Sequence, residues 1–447
     1  MHAYRYFAYL IVKFLKDYFE QTMKKFLPLL LVLAFASVSS AQRHKSKTKA
    51  KAQTQSKTKG KKGKPILVKH HPAFVLPDSS VLTATPSGKL PALLFSNGTD
   101  RLGGAKMNYI DSNVSMEILD SAKELYHVKL SKYHTAYIEK ALTKLGYAYE
   151  TPIALTEAWK VYGDSSFDYL QISLNKRLPY KTWMDVNPSK IMVEIYGAMA
   201  NTNWINTLSS AKEVKNVSYE QVEDDVIRVT IELQHPQPWG YRVSYEGGKL
   251  QVKIHHQPTK LSLENLTIAI DAGHGGTNKG TDDGINSNIL EKNYTLMFAQ
   301  ELQKILVAKN VKVIMTRTYD TTIDNKDRTM LLQSEWPDLL ISFHLNSSSN
   351  PATQGVSTYY KHLAYRPLTQ ALLKRVLEID GMKEYGNVGS FNFQLIQPTE
   401  YNSSLVEIAF LSNREDEKRI MDQNFRQKIA EQVEKGIEDW LKDVEEQ

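Results

Sequence analysis

The stretch Ala269-Ile-Asp-Ala-Gly-His-Gly-Gly276 decides how this chain is read. A short apolar run, Leu266 to Ile270, ends in an acid and then in a histidine set among glycines. Such a run reads as a buried strand that delivers one imidazole onto a tight, open loop. A lone loop histidine usually has no special role, but three further residues fall at comparable places. Glu291 opens a helical pattern, His344 closes the apolar run Leu339-Leu-Ile-Ser-Phe-His344, and Glu407 sits inside Leu405-Val-Glu-Ile-Ala-Phe410. His, Glu and His at strand ends or a helix start can supply the three protein ligands of an open catalytic zinc site. A second Glu beside the metal can activate bound water. Glu407 is costly in an apolar strand unless a metal, a cation or a proton compensates it, and Arg317 and Arg328 are the structural alternatives as partners.

Residues 264–445 resemble the catalytic domain of the zinc-dependent N-acetylmuramoyl-L-alanine amidases of bacteria. Four motifs carry the resemblance in order: Asp271-Ala-Gly-His-Gly-Gly276, Glu291-Lys292, Ser342-Phe-His-Leu-Asn346 and Val406-Glu-Ile-Ala-Phe-Leu-Ser-Asn413. Arg317 and Arg328 fall where the family carries its arginines. The resemblance implies that His274, Glu291 and His344 bind one zinc ion per chain and that Glu407 is the catalytic carboxylate. It further implies cleavage of the amide bond between muramic acid and the first alanine of the peptidoglycan stem peptide. Asn346, Arg328 and Gln397 are candidate substrate contacts. Gln397 stands where many relatives carry Arg. The 17 positions from His274 to Glu291 include a polar insert, Asn278–Asn288. The 63 from His344 to Glu407 match the short form of the family, which lacks a helix that blocks the active site.

Charge and length set the wider frame. A chain of 447 residues exceeds one compact core. The net charge of +7 is unevenly placed, because residues 42–69 hold 11 Lys/Arg and no acid. Residues 1–41 carry +3, which leaves −7 on the remainder. The basic stretch therefore reads as a solvated tail suited to anionic envelope surfaces, and nucleic acid is not an expected partner. With no cysteine, disulfides, thiolate zinc sites and Cys nucleophiles are excluded. Lys24-Lys25, the apolar run Phe26–Ala36 and Ser39-Ser-Ala41 form a secretory signal pattern, with Met23 as the expected start and an extension before it. The apolar run is too short to span a bilayer. The protein is expected to be exported to the periplasm or cell envelope.

The remaining chain divides into three. Residues 70–148 suggest a small β-barrel-like module, with a hairpin at Leu125–Leu130 and Thr135–Glu139, and resemble bacterial Src-homology-3-like modules. Residues 149–257 alternate at period two in runs such as Asp168–Leu174, Ile191–Tyr196, Val226–Leu233, Tyr241–Tyr245 and Leu250–Ile254. They read as a β-sandwich and resemble the AMIN domain, a wall-targeting module. From 258 onward strand-like and helical runs alternate, including Phe393–Gln397 as a strand, which argues an α/β catalytic domain with a mainly parallel sheet flanked by helices. The expected whole is multidomain, with two small all-β modules before that domain. Residues 42–257 are expected to localise the protein, which is expected to be a monomer, with a regulatory envelope protein as a possible partner besides peptidoglycan. His255 and His256 read as solvated linker residues.

Other chemistries fail on their motifs. Gly273–Gly276 lacks the Lys-Ser/Thr of a phosphate loop and the spacing of a dinucleotide fingerprint. No Gly-x-Ser-x-Gly elbow is present. The alternative from another class is a non-catalytic wall-binding or hydrolase-regulating protein that retains the fold.

Overall fold

The computed structural model describes residues 80–98, 104–149, 153–281 and 289–447. The signal-like segment, the basic stretch, His70-His71 and the insert residues 282–288 lie outside the described residues. The described residues belong to one compact unit.

Its first part is an antiparallel sheet of β1 (Ser80–Pro86), β2 (Ala92–Leu94), β3 (Lys106–Tyr109), β4 (Met116–Ala122), β5 (Leu125–Lys129), β6 (Thr135–Glu139) and β7 (Thr143–Tyr149). The order is β3-β2-β6-β5-β4-β1-β7. The anticipated hairpin is β5 and β6, in register from Leu125 opposite Glu139 to Lys129 opposite Thr135.

Two further sheets follow, built from β8 (Ala154–Gly163), β9 (Phe167–Leu174), β10 (Tyr180–Val186), β11 (Ser189–Tyr196), β12 (Ala198–Met199), β13 (Ile205–Thr207), β14 (Val214–Glu223), β15 (Val226–Leu233), β16 (Tyr241–Glu246) and β17 (Lys249–His255). One sheet runs β10-β11-β15-β14 and the other β12-β8-β9-β17-β16. Alternation decides which side chains turn inward. Ile191, Val193 and Ile195, Val229 and Ile231, and Val252 and Ile254 are fully or almost fully buried. Their core is continuous with that of the first sheet and takes in Ala364 and Tyr365 from the last part of the chain.

His255 and His256 are not solvated linker residues. His255 closes β17, and its ring stacks on Phe167 with centroids 4.9 Å apart. Burial lowers its pKa to about 4, with help from His256 and Lys253. His256 Nε2 lies 2.7 Å from Oδ1 of the buried Asp168. The same carboxylate accepts the backbone N–H groups of Lys212, Glu213 and Val214.

The last part is a six-stranded sheet ordered β19-β18-β20-β23-β21-β22. Its strands are β18 (Thr267–Ala272), β19 (Lys312–Met315), β20 (Leu339–Asn346), β21 (Val356–Tyr359), β22 (Glu384–Val388) and β23 (Asn402–Phe410). The pairings are parallel except β21 with β23. Helices α1 (Glu291–Ala308), α2 (Asn325–Glu335), α3 (Arg366–Val376), α4 (Arg414–Met421) and α5 (Gln423–Glu445) complete it. Both faces of the central strands are covered, so these strands read as continuous apolar runs. Ile268 and Ile270 pack with Phe298 of α1 and the α5 residues Ile437 and Trp440, whereas Ala269 packs on the opposite face with Leu332 of α2. Helix starts are capped where the sequence supplies the acceptor: Asp324 takes the Lys326 N–H, and Asn413 takes those of Glu415 and Asp416.

Two expectations need correction. Phe393–Gln397 is not a strand: Gln394–Ile396 is a 3-10 turn. The core of the α/β part also reaches back before residue 258. Trp239 is 1% exposed within it, stacked on Trp440 with centroids 5.3 Å apart, and its Nε1 donates to Asp338 Oδ1 at 2.6 Å. The backbone N–H of Tyr241 donates to Thr399 O at 2.8 Å. Gly240, at φ +121°, lies so close to Glu400 that a Cβ there would fall 2.2 Å from its carbonyl oxygen. Only glycine meets both conditions.

Candidate functional site

The strand β18 is buried from Ile268 to Ala272 and breaks at Gly273. The chain then turns sharply, with His274 in the left-handed region at φ +63°. Non-glycine residues pay for that conformation, and such strain is concentrated at functional sites. A network behind the loop holds it. Arg328, 1% exposed, donates to Asp271 Oδ1 at 2.7 Å and to the carbonyl oxygens of Ala272 and His274. Thr316 and Ser342 also donate to the Asp271 carboxylate. Burial works against the Asp271 charge, but the Arg328 guanidinium foremost, and then His344 and the two hydroxyls, hold its pKa below the usual carboxylate range. Arg317 donates to the carbonyl oxygens of Ala272, Gly273 and Lys292.

Glu291 is the first residue of α1, where the helix dipole favours a negative charge. One of its oxygens, Oε1, lies 3.0 Å from His274 Nε2 and 3.0 Å from His344 Nδ1. Leu345 N donates to the same oxygen, and Thr281 N donates to Oε2. Burial penalises this carboxylate, yet the hydrogen bonds and charge of the two imidazoles hold its pKa far below the ordinary range. The side chain of Glu291 is 3% exposed, whereas those of His274 and His344 are 22% and 18% exposed, so both rings keep an accessible edge. Asn278 Oδ1 sits 3.0 Å from His274 Nδ1 and helps to orient that ring. Two glycines make the room: a Cβ at Gly273 would fall 2.4 Å from the His344 ring, and one at Gly280 would fall 2.4 Å from Glu291 Oε2.

Among the described residues, His274, Glu291 and His344 form one group able to hold a metal ion, with a ligand atom from each within 4.8 Å of the others. Tetrahedral ligation at about 2.0–2.1 Å separates ligand atoms by roughly 3.3 Å, close to the two 3.0 Å separations between imidazole nitrogen and carboxylate oxygen. Two imidazoles and one carboxylate are also the donor types that suit zinc while leaving coordination open.

Glu407 lies on β23 in register with His344 on β20. It is 7% exposed. Its charge is felt by Tyr359, whose hydroxyl pKa is raised chiefly by burial. The alternative arginine partners are committed to Asp271 and to backbone carbonyls.

The three candidate substrate contacts fall in different places. Asn346 ends β20, and its Oδ1 accepts the Ser347 N–H. Arg328 is buried behind the His274 loop and braces it, so its expected role as a substrate contact is corrected to a structural one. Gln397 is 8% exposed, and its Nε2 donates to Asn392 Oδ1 at 3.2 Å, turned into the protein. The sequence reading missed Phe393, whose ring lies parallel to the His344 ring at 6.3 Å between centroids. Its spacing inside a misassigned strand gave no cue.

Comparison with known proteins agrees with this layout. Residues 268–439 match the N-acetylmuramoyl-L-alanine amidase family model, and residues 157–254 match the AMIN domain model. The "Probable cell wall amidase LytH" of Staphylococcus aureus is 29% identical over 188 residues, 42% of this chain and 62% of that protein. Its namesake in Staphylococcus epidermidis is 31% identical over 40% of this chain and 60% of its own length. The chain thus spans about three-fifths of the length of these curated relatives. Among solved structures, the catalytic domain of CwlV, N-acetylmuramoyl-L-alanine amidase from Bacillus (Paenibacillus) polymyxa var. colistinus, is 29% identical over 40% of this chain and 98% of its own, with a TM-score of 0.38. An N-acetylmuramoyl-L-alanine amidase from Clostridium difficile 630 is 30% identical over 40% and 97%, also with a TM-score of 0.38. Residues 268–439 are thus similar to the N-acetylmuramoyl-L-alanine amidase family, and residues 157–254, which precede them, to the AMIN domain.

Proposed function

We propose that this protein hydrolyses the amide bond between N-acetylmuramic acid and L-alanine of the peptidoglycan stem peptide. In this reading His274, Glu291 and His344 hold one zinc ion, and Glu407 is the catalytic carboxylate. The observation that carries the reading is the convergence of two imidazoles on one buried, charged Glu291 oxygen. Bound there, zinc supplies a Lewis acid for the scissile carbonyl and makes water nucleophilic at neutral pH. Glu407 takes the proton from the attacking water and returns it to the departing amine of L-alanine. Arg328 and Asp271 keep His274 in its strained loop, and the accessible imidazole edges leave the approach open.

The same reading makes this an exported envelope protein, with peptidoglycan as its substrate. No helix among the described residues is long and apolar enough to cross a membrane. The AMIN domain supports a role in wall localisation. The basic stretch at residues 42–69 suits anionic envelope polymers.

The test is to incubate the purified protein with peptidoglycan and identify the products by mass. Free stem peptides with an L-alanine amino terminus, beside glycan strands with unsubstituted lactyl groups, are expected. Products cut in the glycan or within the peptide would overturn the reading.

A further inference from the structure

One short segment of the α/β part stands beside the imidazoles and is held from outside that part. The Phe393 ring lies parallel to that of His344, with centroids 6.3 Å apart. It belongs to an aromatic wall with Phe391, at 4.5 Å, and Tyr359 of β21, at 5.2 Å. Tyr359 is buried, whereas Phe391 and Phe393 are half-buried and keep part of their surface accessible. Ser390, just before them, sits in the left-handed region at φ +56°. A non-glycine residue there carries strain that the surrounding structure has to hold.

The contacts that hold this segment flank Phe393 on both sides. Asn392 Nδ2 donates to Gly104 O at 3.2 Å, and Gln394 Nε2 donates to the Tyr109 hydroxyl at 2.6 Å. Tyr109 ends β3 of the first sheet, and Gly104 comes just before that strand. At its other end the Asn392 amide accepts Lys361 Nζ at 2.8 Å and Gln397 Nε2 at 3.2 Å. The residues on either side of Phe393 are therefore tied to partners 288 and 285 positions earlier in the chain.

We infer that Phe393 is a specificity-determining residue that contacts a methyl group beside the scissile amide, and that the first sheet sets its position through Gly104 and Tyr109. The inference rests on the proposed function, because it takes the muramoyl–alanine amide as the ligand. That amide has a methyl group on each side, one on the lactyl group and one on L-alanine. A carbonyl brought to the imidazoles places a flanking methyl against the neighbouring wall, where an apolar ring gains by covering apolar surface. One methyl covered in this way is worth about fourfold in affinity. Asn392 and Gln394 act through Phe393 and are positioning residues.

The test is calorimetric titration of full-length Glu407→Gln, chosen so that the ligand stays intact, with N-acetylmuramoyl-L-alanyl-D-glutamate. Two further ligands have glycine in place of alanine, or lack the lactyl methyl. Adding Phe393→Ala should weaken binding of the first ligand about fourfold. Removal of one methyl should cost about fourfold with Phe393 present and nothing in Phe393→Ala, and the ligand that shows this names the methyl. Asn392→Asp/Tyr109→Phe removes both ties to the first sheet while keeping the acceptor for Lys361 and Gln397. It should weaken binding about threefold with Phe393 present and leave the Phe393→Ala protein unchanged. General loosening of the fold would not give that non-additivity. Methyl losses that are equal with and without Phe393, or no binding at millimolar ligand, would overturn the inference. No weakening by the two tie substitutions, or equal weakening in both backgrounds, would remove the first sheet from it. Product analysis separates the two proposals. A parent that releases no stem peptide from peptidoglycan, while binding follows the expected pattern, keeps Phe393 and sinks the reaction. Release by the parent, with Phe393→Ala binding all three ligands unchanged, does the opposite.

Discussion

Replacing Trp239 tests whether the AMIN domain and the amidase domain are one folding unit. The indole comes from the segment between β15 and β16 yet is 1% exposed in the core beneath α5. Truncation of a buried Trp or Phe to Ala typically costs about 3–5 kcal/mol. The stacking on Trp440 is worth about 0.5–1.5 kcal/mol of such a loss. The hydrogen bond to the Asp338 carboxylate is of a class worth about 1.5–3 kcal/mol. Asp338 keeps the Thr267 N–H on its other oxygen, so it is not stranded entirely. Trp239→Ala should therefore destabilise by about 3–5 kcal/mol, against about 5–15 kcal/mol for a whole domain. Trp239→Phe, which keeps a ring but loses the N–H, should cost about half as much. Equilibrium urea unfolding of the full protein measures both. A chain beginning at Leu261 should be destabilised at least as much as Trp239→Ala and should show red-shifted fluorescence from the uncovered Trp440. If Trp239→Ala costs under about 1 kcal/mol and the shortened chain unfolds at the parental midpoint, the shared core is refuted and the front half is a detachable targeting region.

Other outcomes follow from the site. Elemental analysis should find about one zinc per chain, with His274→Ala and His344→Ala each sharply depleted; full occupancy in both would remove the ligand assignment. Glu407→Gln should retain metal and fold while lowering amide hydrolysis by about 10²- to 10⁴-fold, read from released stem peptide. Arg328→Met should destabilise by about 3–5 kcal/mol in thermal or urea unfolding, because it strands the buried Asp271 charge; a neutral result would restore Arg328 as a candidate substrate contact. His255 has a folded pKa of about 4, below the unfolded value near 6.5. Its unfolded form takes up a proton first as pH falls, so its contribution is full above about pH 6.5 and declines as pH drops toward 4, by up to about 1.4 kcal/mol per pH unit. His255→Phe should flatten the stability profile in that window relative to the parent, and a parallel profile would contradict the burial argument.

Much of the α/β part was legible from local pattern. Thr267–Ala272, Leu339–Asn346 and Asn402–Phe410 are buried on both faces, so each shows as an apolar run regardless of its neighbours. Glu291–Ala308 carries its buried residues at helical spacing. Phe393–Gln397 misled because a short apolar run has no period by which a strand can be told from a turn. Glu384–Val388, half-exposed and polar at an edge, left no apolar trace.

The sequence by itself determined the chemistry available: which side chains are imidazole or carboxylate, that no thiolate competes, and that His274 stands among glycines. Tertiary structure decided which of those groups meet. His274, Glu291 and His344 are separated by 17 and 53 positions, and only the parallel placement of β18 beside β20, with α1 starting over their ends, brings them onto one oxygen. It also decided that Arg328 pairs with Asp271 and that Trp239 belongs to the neighbouring domain's core. Burial and partner choice depend on elements distant in the chain, and a local pattern carries no record of them.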